Sequence, residues 1–223
     1  MIGIIPIGGN ATRMNGIPKF LLPIKDSSLL DTLFIHMVNG GALEIAVAMR
    51  KEYRPLIYHF PYGKYFSLIV DTQTMSETIL LVREHIDTEQ TVLFGMPDTY
   101  WTDEHVYQRL LGNLDYAIAS VAVWKPAQSL RHKRGMCAIK DNRIVQVVDK
   151  PQATPLTWGW GAMVWQPAFW PYIKPQDPHV GFALQRAITA GEPIAASKFP
   201  GQYFDCGTHA EYYECVAKVM DYA

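Results

Sequence analysis

The N-terminal stretch MIGIIPIGGNATRMNGIPKFLLP constrains this chain more than any other. An apolar run from Ile2 to Ile7 ends on Gly8-Gly9-Asn10-Ala11-Thr12-Arg13, and Lys19 follows directly behind Pro18. This reads as a buried strand that stops at a glycine turn, with two cations placed just beyond it. Adjacent glycines let backbone N–H groups approach an anion closely, because no Cβ intervenes. Arg13 offers a planar fork of donors and Lys19 a compact point charge, and both suit phosphate. The stretch predicts a triphosphate-binding loop at the carboxyl end of the first strand of an α/β fold. It is neither of the two commonest phosphate loops, since it holds no G-x-x-x-x-G-K-[ST] and no G-x-G-x-x-G. Gly-Gly alone would equally suit an ordinary strand-to-loop turn.

The rest of the chain alternates. Ser28-Leu29-Leu30-Asp31 begins a helix whose apolar positions Leu30, Leu33, Phe34, Met37 and Val38 recur at helical spacing until Gly40-Gly41 stops it. Strands are expected at 43–49, 65–70 and 91–95, a short Pro-interrupted helix at 53–60, and helices at 76–86 and 103–111. Strands that alternate with helices imply right-handed βαβ units and a parallel sheet, with ligands beyond the carboxyl ends of its strands. From Tyr116 onward the pattern becomes mixed. A strand is expected at 116–124, then a hairpin of 136–140 and 143–148 turning on Asp141-Asn142. A strand at 158–165, helices at 166–173 and 180–190 and a strand at 194–199 follow. The last helix is marked by the capping box Thr208-His209-Ala210-Glu211 and runs to the terminus. The expected fold is one Rossmann-like three-layer α/β domain with a mostly parallel mixed sheet and a small β-rich lobe. Residues 1–112 would form its nucleotide-binding half and residues 113–223 its acceptor-binding half.

At 223 residues and 49% hydrophobic content the chain can bury a sizeable core, and its net charge of −1 gives no footprint for nucleic acid. The basic cluster Arg131-His132-Lys133-Arg134 reads as a solvated loop, with contact to an anionic ligand as the alternative. Three cysteines, Cys137, Cys206 and Cys215, with no C-x-x-C spacing, suggest neither a disulfide framework nor a zinc site and fit a reducing cytoplasm. No apolar run is long enough to span a membrane.

Gly8-Gly9-Asn10-Ala11-Thr12-Arg13-Met14 followed by Pro18-Lys19 resembles the signature of the sugar-1-phosphate nucleotidyltransferases, the NDP-sugar pyrophosphorylases. Ala11 stands where glycine is commoner, and the spacer before Pro18 is short, as in compact cytidylyltransferase-type loops. Three later segments resemble the same family in the same order. Phe94-Gly95-Met96-Pro97-Asp98 is similar to a strand ending in Gly-Asp, with two residues intervening and Asp103 as a competitor. Val148-Asp149-Lys150-Pro151 resembles Glu-Lys-Pro, with Pro151 expected to hold Lys150 extended. Phe204-Asp205-Cys206-Gly207-Thr208 resembles Asp-x-Gly-Thr ahead of the terminal helix.

The resemblance implies roles for these residues. Arg13 and Lys19 would be catalytic, and the 8–12 amides would hold the leaving phosphates. Asp98 and Asp205 would bind Mg²⁺, while Lys150 would hold the acceptor phosphate and Asp149 a sugar hydroxyl. Gly135 and Gly161 would let backbone approach the acceptor, although a bulge or a close sheet contact explains them equally well. The tryptophans near them suit sugar faces but read mainly as core. Gln73 and Ser76 occupy the place where the family reads the base, yet Met75-Ser76-Glu77 does not match its Gly-Thr-Ala turn. The implied reaction joins an NTP to a sugar 1-phosphate and releases pyrophosphate, in a cytoplasmic enzyme whose longer relatives form homo-oligomers. Two alternatives stay open: a cytidylyltransferase whose acceptor is a non-sugar phosphorylated small molecule such as phosphocholine, and a non-catalytic nucleotide-sugar-binding domain. No Asp-x-Asp stands at a strand end, which argues against a metal-dependent glycosyltransferase.

Overall fold

The computed structural model describes residues 1–8, 16–57 and 63–220. Its first half runs β1 (Ile2–Ile7), the small hairpin β2 (Pro23–Ile24) and β3 (Ser27–Ser28), α1 (Leu29–Asn39), β4 (Glu44–Met49), β5 (Lys64–Ile69), α2 (Met75–Arg83), β6 (Val92–Phe94), β7 (Thr99–Trp101) and α3 (Val106–Leu111). The second half runs β8 (Ala119–Trp124), β9 (Gly135–Lys140), β10 (Arg143–Asp149), β11 (Trp158–Trp165), α4 (Gly181–Thr189), β12 (Ile194–Lys198), β13 (Tyr203–Asp205) and α5 (His209–Met220).

Nine of these strands form one sheet in the order β5-β4-β1-β6-β11-β8-β12-β10-β9. The β5-β4-β1-β6 side is parallel, as its alternation with helices requires. β11 enters antiparallel between β6 and β8, and β8 pairs parallel with β12. The β9–β10 hairpin closes the far edge of this same sheet, on the turn expected at Asp141-Asn142. Both turn residues take positive φ, 49° and 57°, as a two-residue hairpin turn demands.

Alternation along β1 sends Ile2 and Ile4 to one face and Ile5 and Ile7 to the other. The first face is covered by Ile79 and Val82 of α2 and by Ala183, Leu184 and Ala187 of α4. The second is covered by Leu30, Leu33, Phe34 and Met37 of α1 and by Val106, Tyr107 and Leu110 of α3. The result is the expected three-layer arrangement with a mixed central sheet. A third cluster joins Tyr100 and Phe204 to Cys206, Cys215 and Val219, so α5 packs on the separate β7–β13 pair.

Two expected helices are 3-10 turns instead, at Lys51–Leu56 and Pro167–Tyr172. Pro55 and Pro171 lie inside them and supply no N–H, so an i→i−4 ladder cannot propagate. The expected helix over 103–111 begins at Val106, because Asp103 spends its carboxylate on the His105 N–H and on Arg109.

Candidate active site

Lys19 sits on a 3-10 turn, Lys19–Leu21, pinned by the buried Phe20 against the edge of the Tyr53 ring at 5.3 Å. This anchoring carries Lys19 Nζ to within 3.1 Å of Asp98 Oδ2. Asp98 lies between β6 and β7, so the first strand's exit and the fourth strand's exit meet as the crevice rule requires. Asp103 is no competitor, since Arg109 Nε holds it at 2.6 Å.

Asp205 ends β13, which pairs antiparallel with β7 so that Asp205 stands opposite Thr99. The Cys206 N–H donates to the Asp98 carbonyl at 2.8 Å, tying the two carboxylate-bearing turns together. Gly207 N–H donates to Asp205 Oδ1 at 2.9 Å. Burial, and next the nearby charge of Asp98, push the Asp205 carboxyl up to about 6 even though Arg134 pulls it down. A site that resists holding both negative charges is one that favours a cation.

That cation is partly built in. Arg134 is buried, with Nη1 2.5 Å from Asp205 Oδ2 and Nη2 2.7 Å from Glu211 Oε1. The reading of residues 131–134 as a wholly solvated loop is therefore corrected at Arg134. Burial lowers the guanidinium's affinity for its proton, but the two carboxylates outweigh that and the net shift is upward. Glu211, noticed in the sequence only as part of a capping box, receives the Thr208 hydroxyl at 2.8 Å and turns its other oxygen to Arg134. The sequence carried a signal for Arg134, a basic run directly before Gly135, but none for its partners.

Asp149 and Lys150 close the other side. The Lys150 N–H donates to the Arg134 carbonyl at 3.0 Å, linking the acceptor lysine to the Asp205 cluster. Lys150 is not extended: its φ is +38°. Pro151 disfavours the right-handed helical region, and the hydrogen bond to Arg134 holds the strained left-handed one instead. Asp149 Oδ2 lies 2.8 Å from His179 Nε2, a residue that sequence reasoning passed over.

Asp98, Asp205, Gly135, Asp149 and Lys150 all line one cleft of about 580 Å³. A Cβ on Gly135 would lie 2.2 Å from Trp160 Nε1, so glycine is needed for that indole to pack. A Cβ on Gly161 would meet Trp101, Tyr203 and Trp124 within 3.3 Å, so rings of the protein itself fill the space expected for an acceptor there. Gly161 is thus a close packing contact, the other reading that its sequence allowed.

Gly8 abuts the start of α2, with Thr78 Oγ1 and Thr72 Oγ1 3.6 and 3.8 Å from where its Cβ would be. Gly8 and Gln73 share a smaller pocket of about 180 Å³. Ser76 does not join them. It is fully buried and its hydroxyl has no hydrogen-bond partner among the described residues, which corrects its assignment to base reading. Gly9, Asn10, Ala11, Thr12 and Arg13 lie outside the described residues.

A family model for the MobA-like NTP transferase domain matches residues 3–198. The chain belongs to that family. It is a nucleotidyltransferase, and its small-molecule partners are those of an NTP transferase. None of the curated proteins matches it by sequence. Among solved structures, a UDP-glucose pyrophosphorylase complexed with UDP-glucose superposes with a TM-score of 0.85 at 18% identity, covering 100% of this chain and 99% of that one. A chain assigned as a glucose-1-phosphate thymidylyltransferase from Bacillus anthracis gives 0.84 at 16% identity, covering 99% and 96%. The inositol-1-phosphate CTP transferase from T. maritima gives 0.78 at 14% identity, covering 99% and 96%. The MobA-like transferase thus shares its whole fold with these enzymes. No helix among the described residues is long and apolar enough to cross a membrane.

Proposed function

We propose that this MobA-like transferase joins an NTP to a sugar 1-phosphate, forming an NDP-sugar and releasing pyrophosphate. One observation carries this reading: a single cleft gathers Asp98, Asp205, Asp149 and Lys150, with Lys19 on Asp98 at its edge. The UDP-glucose and glucose-1-phosphate enzymes among its structural neighbours support the choice of acceptor.

The acceptor phosphate is already an anion, so the reaction needs no general base. Catalysis is positioning and charge stabilisation. Lys150 would hold the acceptor phosphate against the repulsion of the triphosphate. Lys19 would stabilise charge on the α-phosphate, and Arg13 with the 8–12 amides would hold the departing phosphates. Gln73, beside Gly8, would face the nucleotide. Asp149 would accept from an acceptor hydroxyl.

Two adjacent carboxylates, one of them reluctant to ionise, fit a hard divalent ion that takes its other ligands from phosphate and water. Asp98 and Asp205 would hold Mg²⁺, which when bound supplies charge neutralisation between the two reacting phosphates. Among the described residues no group of three or more His, Cys, Asp or Glu could hold a metal, which is consistent with a site completed by substrate.

The test is a pyrophosphate-release assay across the common NTPs, each paired with a panel of hexose 1-phosphates and other phosphorylated acceptors. Turnover with an NTP and a hexose 1-phosphate is expected. Turnover confined to a non-sugar acceptor would replace this reading with the second one, a cytidylyltransferase, which the fold of the inositol-1-phosphate CTP transferase favours.

A further inference from the structure

Unmatched nitrogens gather on one wall of the cleft. Neither ring nitrogen of His179, nor the indole Nε1 of Trp160, has a hydrogen-bond partner, and all three atoms are buried. His179 Nε2 is within ion-pair reach of Asp149 but off line for a hydrogen bond. Folded proteins leave few such groups, because each costs about 1–3 kcal/mol. Trp165 and Trp170 also carry unmatched nitrogens, so Trp160 alone would mean little. Its conjunction with both nitrogens of His179, beside a carboxylate and in the cleft that holds Lys150, is what signifies.

The wall is held in place. His179 packs on the Phe182 ring at 5.1 Å and lies 6.5 Å from Trp160. The loop before it is tied to the start of α2, where Thr74 Oγ1 donates to the Pro175 carbonyl at 2.6 Å and Met75 N–H to the Pro178 carbonyl at 3.2 Å. A positioned donor–acceptor edge of this kind discriminates strongly between ligands with and without hydroxyls.

We propose that His179, with Trp160 and Asp149, forms a hydroxyl-reading wall, and that the acceptor is a phosphorylated polyhydroxylated ring. This rests on the reading of the cleft as an acceptor site and adds the chemical class the site selects. A trimethylammonium headgroup has no hydrogen to donate and no lone pair to offer, and would leave all three nitrogens unmatched. Hydroxyls of a hexose or cyclitol ring can donate to His179 and Asp149 and accept from Trp160.

The test uses the full chain with glucose 1-phosphate, its monodeoxy analogues, inositol 1-phosphate and phosphocholine. Wild type should use at least one ring acceptor, lose about tenfold or more in kcat/KM with at least one deoxy analogue, and reject phosphocholine. His179→Phe keeps the ring contacts but no polar atom. It should raise the acceptor KM roughly tenfold, leave the NTP KM unchanged, and shrink the penalty for that deoxy analogue to about threefold or less. His179→Gln, which keeps a polar group near Asp149, should recover part of the loss, and it carries the comparison if the Phe variant does not fold. Preferred use of phosphocholine, or full deoxy discrimination in both variants, overturns the proposal while leaving nucleotidyl transfer intact. If no NTP–acceptor pair turns over, the functional reading fails by itself. Calorimetry with glucose 1-phosphate then decides the wall: binding weakened about tenfold in the variant upholds it, and no binding, or equal binding, overturns it.

Discussion

Removing the built-in cation gives the sharpest test of the carboxylate cluster. Arg134→Met keeps most of the side chain's length but leaves Asp205 and Glu211 without the guanidinium that now sits 2.5 and 2.7 Å away. Arg134 and Glu211 are about 10% and 13% exposed and Asp205 24%, so solvent screens the cluster only weakly. Breaking a buried pair by removing one partner costs about 3–5 kcal/mol, because the remaining charge is stranded. In a domain of this size that corresponds to a fall in Tm of roughly 6–20 °C. Asp98, already near enough to raise the Asp205 carboxyl, makes the stranded charge worse. A divalent ion on Asp98 and Asp205 should restore part of the missing charge. The gain in Tm on adding Mg²⁺ should therefore be larger in Arg134→Met than in wild type, by a margin on the order of 1–3 kcal/mol. Thermal unfolding by circular dichroism, with and without Mg²⁺, reads both quantities. A fall in Tm under about 2 °C would show that the cluster is not strongly coupled. Equal Mg²⁺ gains in the two proteins would refute the idea that metal and Arg134 serve the same carboxylates.

Three further outcomes are expected. Lys19→Ala should lower kcat by about 10²-fold or more while changing stability by under about 1 kcal/mol, since its partner Asp98 is partly solvated; steady-state kinetics beside a melting curve separate the two. Gly135→Ala should cost roughly 1–3 kcal/mol and raise the acceptor KM, because its Cβ would lie 2.2 Å from a buried indole nitrogen; a denaturant titration showing no loss would contradict this. Burial, partly opposed by Asp103, lowers His36 from 6.5 to about 4. Its stabilising contribution is complete above pH 6.5 and is lost as pH falls toward 4, amounting to about 3 kcal/mol. His36→Leu should remove that slope from the difference between the two stability–pH curves, and parallel curves would show that His36 does not titrate this way.

Much of the architecture was legible because it is local. The 2–7 run, the Ser28 cap, the Asp141-Asn142 turn and the Thr208 cap each state an element through its own propensities, and each element stands where expected. The prolines at 55 and 171 were equally visible, yet whether they would bend an α-helix or leave a 3-10 turn depends on packing at both ends. Ser76 looked available on a polar turn, but α2 is rotated so that the serine faces inward and Gln73 outward.

The sequence by itself determined the opening strand, the glycine turn behind it and the residue types of an anion site at Lys19, Asp98, Lys150 and Asp205. Those follow from composition and spacing within a few residues. Only the tertiary structure decided that Asp98 and Asp205 are neighbours, because that rests on two three-residue strands, β7 and β13, too short to announce their pairing. It alone turned Arg134 from a surface cation into the counter-ion of both Asp205 and Glu211, and brought His179 against Asp149. Charge pairing acts through space, so residues far apart in the chain acquire their roles only when the sheet brings their strand ends into one cleft.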